Sequence, residues 1–279
     1  MKIPRFEHFF DFITDLLMRK RASSQPIQAD FERLCYEIRP GDVLLVAGRS
    51  RVSEVIRIVT LSPWSHAALY IGRLYEIMDP VLRKKVTSKF PVAPDDQLLI
   101  ESVMGKGTVV TPLSFYQDDH IRICRPRYIS KQDVDKVIAY SIEHLGYEYD
   151  TRQIFDLMRY LFPWGIFPRR WRSSLFAHNA GIPTKDSCAT LIASAFESVN
   201  FPVLPIVKVK KRKQDKTEFI RLNPRLVAPS DFDYSPYFDI IKYPMFEYQT
   251  HPSYKEFPWI SGIVGDKEGN IYPEKQDQK

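Results

Sequence analysis

The chain has 279 residues, 44% hydrophobic and 27% charged. That is the make-up of an ordinary soluble globular protein with a sizeable core, as one large domain or two small ones. A net charge of +6, from 40 basic against 34 acidic residues, is a mild pull towards anionic partners such as phospholipid surfaces, not a strong imbalance. Three cysteines without metal-ligand spacing argue against a disulfide scaffold and against zinc, and for a reducing, cytoplasmic compartment.

In chain order, Phe6, Phe9, Phe10, Ile13, Leu16 and Leu17 recur at helical spacing with charges elsewhere on the wheel, which predicts an amphipathic helix. It fits either docking on the domain or peripheral membrane contact through residues 5–21. Charges interrupt this start, so it lacks the apolar region of a signal peptide, and no later stretch approaches the roughly 18 apolar residues of a bilayer span. A polar linker over 22–30 leads to a short helix over 31–36. The turn Arg39-Pro40-Gly41-Asp42 then delivers the chain into Val43–Ala47, an apolar run that fits a buried strand. Val52–Thr60 reads as a helix ended by Pro63, and Ser65–Gly72 as a strand with His66 near its start. Residues 73–97, with prolines and charges, read as an excursion carrying a hairpin or short helix.

Leu98–Ser102 predicts the next strand, with Glu101 inside it. Glu is almost never fully buried unless paired, so its default place is a solvent face. Thr108–Thr111 and Ile121–Pro126 continue as strands. In the second, Ile121 and Ile123 share one face and Cys124 takes the other. Ser130 caps a long helix whose Val134, Val137, Ile138, Ile142 and Leu145 face the core, with Gly146 as its stop. A second helical stretch follows over 154–161. The aromatic- and arginine-rich segment 162–184 suits either a substrate-covering lid or a packed loop.

Then comes Lys185–Phe196, where Asp186 or Ser187 caps a helix with Leu191, Ile192, Ala195 and Val199 on one apolar face. Cys188 falls in its first turn. Unpaired N–H groups and the positive end of the helix dipole favour thiolate there, and the same N–H groups can hold an oxyanion. A lone cysteine on an apolar face is more often packing than nucleophile. The set changes the reading, because thiol chemistry needs a thiolate, an imidazole to move its proton and a group to orient the imidazole. Adjacent strands carrying His66 and Glu101 supply the last two, provided both side chains lie on the face against which the Cys188 helix packs. Beyond this helix, 203–209 and 217–222 predict a hairpin with a basic tip at Lys210–Lys216, and Pro229 opens a helical turn. The tail from Tyr243 is read as wrapping the surface before ending disordered. No phosphate-binding glycine loop or RNA-binding signature occurs, so nucleic acid is not the expected partner.

Gly41-Asp42-Val43, Ser65-His66-Ala67-Ala68-Leu69-Tyr70-Ile71-Gly72, Ile100-Glu101-Ser102, Gly146-Tyr147-Glu148-Tyr149-Asp150 and Ser187-Cys188-Ala189-Thr190-Leu191-Ile192 stand in an order that resembles permuted papain-like cysteine hydrolases of the NlpC type. The likeness is to the YiiX-like branch, related to lecithin:retinol acyltransferases. The resemblance implies an α+β fold, a central antiparallel sheet packed against the Cys helix, over residues 37–242, between an N-terminal helix and linker (1–36) and a tail (243–279). It implies Cys188 as nucleophile, His66 as general base and then acid, Glu101 as orienting group, and no cofactor. Where relatives have Ser or Thr and then Glu, this chain has Ala189-Thr190, and the aromatic insertion before Cys188 lies outside the shared pattern. The expected activity is a thiol hydrolase acting on an amide- or ester-containing substrate, lipid or peptide. The alternatives are an acyltransferase using the same thiol and an inactive membrane-associated module.

Overall fold

The structure is a computed structural model that describes residues 31–149, 185–208, 218–241, 260–261, 263–265 and 271–273. The expected N-terminal amphipathic helix, the helix over 154–161, the segment 162–184, the basic tip and most of the tail lie outside the described residues.

A six-stranded antiparallel sheet in the order β10-β5-β1-β2-β3-β4 organises the chain. Its strands are β1 (Val43–Ala47), β2 (His66–Arg73), β3 (Gln97–Val103), β4 (Gly107–Pro112), β5 (His120–Pro126) and β10 (Phe238–Ile241). Both faces are covered, which is why β1 and β2 read as continuous apolar runs rather than alternating ones. One face carries Val43, Leu45, Ala67, Leu69, Ile100 and Cys124, packed with side chains of α4 (Lys131–Glu143) and α5 (Cys188–Ser198). The other carries Leu44, Val46, Ala68, Tyr70, Leu99, Ile121 and Ile123 beneath Leu34 of α1 (Phe31–Glu37) and a 3-10 turn over Leu113–Tyr116. Cys124 thus lies across the sheet from Ile121 and Ile123, as their alternation predicts.

Local chemistry sets the element ends. Ser130 caps α4 by accepting the Asp133 N–H at 3.1 Å, and Gly146 follows at φ 86°. Helix α2 (Arg51–Thr60) stops two residues before Pro63, at Leu61, whose left-handed backbone (φ 49°) lets its N–H reach the Arg57 carbonyl. Gly107 is required where it stands: φ is 75°, and a Cβ there would lie 2.2 Å from the Tyr147 carbonyl oxygen, which accepts the Thr108 N–H at 2.8 Å.

One open alternative of the sequence reading is settled, and two departures from it have physical reasons. The excursion 73–97 carries a full helix, α3 (Pro80–Lys89), with Asp79 as N-cap and Pro80 at its first position; only Val86 is buried, so its apolar periodicity was faint. Strand β10 extends the sheet beside β5 although Asp239 and Ile240 are exposed, because Phe238 is held among Phe196, Phe201 and Phe232 at 5.3–5.6 Å between ring centroids. The tail, read as wrapping and ending disordered, contains a hairpin of β11 (Ile263–Gly265) and β12 (Ile271–Pro273). The remaining pairs are parallel β6 (Glu148–Tyr149) with β7 (Lys185–Asp186), and antiparallel β8 (Ile206–Lys208) with β9 (Glu218–Ile220), the latter within the expected hairpin. The last helix, α6 (Pro229–Tyr234), starts at the expected proline.

Candidate active site

Helix α5 begins at Cys188, and Ser187, one of the two cap candidates, is the residue that caps it: its hydroxyl accepts the Thr190 N–H at 3.3 Å and pairs with the Thr190 hydroxyl at 2.7 Å. The Cys188 side chain is buried at the positive end of this helix, which packs on β2, β3 and α4.

His66 opens β2 and pairs with Val46 of β1, so strand alternation assigns it to the face of Val46, Ala68 and Tyr70. Glu101, two residues beyond Leu99, belongs to that face as well. The sequence-level condition that both lie on the face packed by the Cys helix therefore does not hold. They meet the thiol by another route. The ladder between β2 and β3 starts at Leu69↔Ile100, so residues 66–68 and 101–103 stand apart where the strands splay. The Ala67 N–H turned towards that gap acts on the Cys188 sulfur and favours its charged form. Sulfur, imidazole and carboxylate converge there from the two sides of the sheet.

The start of β2 is pinned. Ser65 donates its N–H to the Val46 carbonyl at 3.1 Å and accepts the Gly48 N–H on its hydroxyl at 2.9 Å. Trp64, fully buried, stacks on His120 at 5.4 Å, lies beneath the Arg122 guanidinium at 4.7 Å and donates its indole N–H to Asp233 at 3.0 Å.

Glu101 is 1% exposed, which overturns the solvent-face default. Its Oε2 accepts from His66 Nε2 and from the Tyr116 hydroxyl, and its Oε1 accepts from Thr111. Burial opposes its charge, but the His66 hydrogen bond and charge and the two hydroxyls hold its pKa below the ordinary carboxylate value. With Nε2 committed to Glu101, Nδ1 is the nitrogen left for the hydrogen bond between His66 and Cys188. Burial works against the imidazolium, but the Cys188 charge and hydrogen bond, followed by those of Glu101, raise its pKa from 6.5 to about 10. For Cys188 burial favours the thiol. The His66 charge and hydrogen bond and the Ala67 and Ala189 N–H groups outweigh it, and the pKa falls below the ordinary 9.0. These shifts favour a thiolate–imidazolium pair backed by a carboxylate.

The other thiols lack this environment. Burial raises the pKa of Cys35 and pushes that of Cys124 to about 12. Sequence reasoning missed Tyr116 and Thr111. Thr111 was legible in principle, since Glu101 pairs with Val109 and residue 111 is the diagonal neighbour on the same face. Tyr116 comes from a 3-10 turn that no periodicity marks. Among the described residues no group of three His, Cys, Asp or Glu side chains is placed to hold a metal ion.

The family described as "Permuted papain-like amidase enzyme, YaeF/YiiX, C92 family" matches residues 37–161. Over this region, somewhat under half of its length, the chain is similar to that family. The match supports an enzyme of the permuted papain-like amidase, or cysteine hydrolase, class, and the antiparallel sheet packed by helices is consistent with that arrangement. The crystal structure of metalloprotein yiiX from Escherichia coli O157:H7 aligns with the chain at TM-score 0.44 and 14% identity, over 74% of this chain and 98% of that one. No curated protein matches the sequence.

Proposed function

We propose that Cys188 is the nucleophile, His66 the acid and base and Glu101 the orienting group of an amide-hydrolysing site. One observation carries this reading: a single imidazole is hydrogen-bonded to a buried carboxylate and acts on a sulfur at a helix start, each lowering or raising the other's pKa towards the charged form. The thiolate attacks the amide carbonyl carbon, and the electron pair displaced onto oxygen is held by N–H groups at the start of α5. As the C–N bond breaks, the imidazolium gives its proton to the leaving amine. The neutral imidazole then takes a proton from water, whose oxygen attacks the thioester, and loss of sulfur restores the thiolate–imidazolium pair. Glu101 keeps the ring aimed throughout and stabilises the imidazolium without becoming protonated. The described cysteines are all free, which fits a reducing compartment.

The test is mass spectrometry of the full chain mixed with a panel of peptide amides, N-acyl amides of fatty acids and lipid esters, with quenching at short times. The expected result is an acyl adduct on Cys188 and release of amine, both absent from Cys188→Ser. Turnover by Cys188→Ser at the wild-type rate would overturn the assignment. Preference for a fatty-acyl substrate would mark the lipid branch, and acyl appearing on an added amine or alcohol rather than water would mark an acyltransferase.

A further inference from the structure

The carboxylate behind His66 is unusual in its surroundings. It is 1% exposed, and besides the imidazole its partners are neutral hydroxyls, Thr111 on β4 and Tyr116 on the 3-10 turn after it. A buried carboxylate held in this way keeps its charge through those hydrogen bonds together with the His66 charge, since each lone pair without a donor favours the protonated acid. Tyr116 is itself buried, edge-on to Phe115, with its ring 6.4 Å from that of His66. Its hydroxyl shares Oε2 with His66 Nε2, so the donor that holds the carboxylate acts on the oxygen that holds the ring.

We infer that Tyr116, seconded by Thr111, is the positioning residue of this site: its hydroxyl keeps Glu101 ionised and turned to His66 Nε2, which leaves Nδ1 for Cys188. The inference rests on the proposed roles of the three site residues. Tyrosine suits the task because its own ionisation is blocked. Burial and the adjacent Glu101 charge push its pKa well above 10, so it donates over the whole working range. The titratable groups acting at this point are His66 from β2, Glu101 from β3, Cys188 from α5, and Tyr116 with Asp119 from the turn leading into β5. Asp119 is paired with Arg49 at 2.8 Å, so a negative charge near Tyr116 is already compensated.

Nitrogen-15 NMR of the His66 ring in the full chain reads both consequences without any substrate. In the wild type the ring keeps its proton well above pH 6.5, the ordinary value, and once neutral carries it on Nε2. Removing a hydrogen bond to a carboxylate shifts that carboxylate's own equilibrium by about tenfold, so Tyr116→Phe is expected to raise by roughly one pH unit the acid-side midpoint at which the His66 Nε2 signal reports loss of the Glu101 charge. Tyr116→Phe keeps the ring that packs in the sheet's second core. Thr111→Val is expected to shift the midpoint in the same direction and Thr111→Ser to restore it, and this pair decides the matter if Tyr116→Phe does not fold. An unchanged midpoint in a folded Tyr116→Phe, or equal midpoints in the two Thr111 variants, overturns the inference. Shifted midpoints in a protein that forms no acyl adduct would overturn the enzymatic roles while leaving the positioning intact.

Discussion

Replacing His66 separates the two forces acting on the Cys188 sulfur. Burial pushes the thiol pKa up; the imidazolium, followed by two backbone N–H groups, brings it down. His66→Gln removes the charge yet leaves an amide N–H to satisfy Glu101, whereas alanine would strand a buried carboxylate. Two unit charges roughly 4 Å apart at an effective dielectric near 20 attract by about 4 kcal/mol, which is about three pH units. The Cys188 midpoint is therefore expected to climb by about three pH units from its depressed value. At a pH below both midpoints the thiolate population falls about a thousandfold. A thiolate of higher pKa is a better nucleophile, with a Brønsted slope of about 0.45, so about twentyfold of the loss returns and labelling slows by roughly fiftyfold. The assay is iodoacetamide labelling of the full chain from pH 5 to 10, resolved by peptide mass spectrometry, with Cys35 and Cys124 as internal references. Wild-type Cys188 should react well below pH 8, ahead of both. A labelling midpoint for Cys188 that is the same in His66→Gln as in the wild type would refute the ion pair.

Two further predictions concern the frame around the site. Phe238→Ala empties the centre of an aromatic cluster at the sheet edge and should cost about 3–5 kcal/mol in urea unfolding; a loss under about 1 kcal/mol would mean that β10 is held by its ladder alone. Gly107→Ala adds a Cβ 2.2 Å from a backbone oxygen at a positive φ, so its thermal midpoint should fall by the equivalent of more than about 1 kcal/mol. A gain in stability there would contradict the close approach of β4 to Tyr147.

Much of this protein is written in local chemistry. The apolar run Val43–Ala47, the Ser130 and Ser187 caps and the alternation at Ile121–Cys124 each fix their element with information a few residues wide, and the structure has those elements where the sequence places them. The order of the His66, Glu101 and Cys188 motifs was equally legible, because residue types and spacing survive any rearrangement in space. Elements whose signal is not local were lost or left open. Helix α3, which buries one side chain, was legible only as one of two alternatives, and β10 is recruited by aromatic rings from other parts of the chain.

What the sequence determined alone was the set of pieces and the chemistry each can perform. Tertiary structure decided whether those pieces act on one another. Glu101 read as a solvent-facing residue until the register of β4 and the turn at Tyr116 supplied its donors. The expected common face for the three site residues gave way to a splay between β2 and β3 that lets the sulfur meet groups from the far side. The physical reason is that a thiol, an imidazole or a carboxylate takes its charge state from neighbours within a few ångströms, and in this chain those neighbours are up to 122 residues away along the backbone.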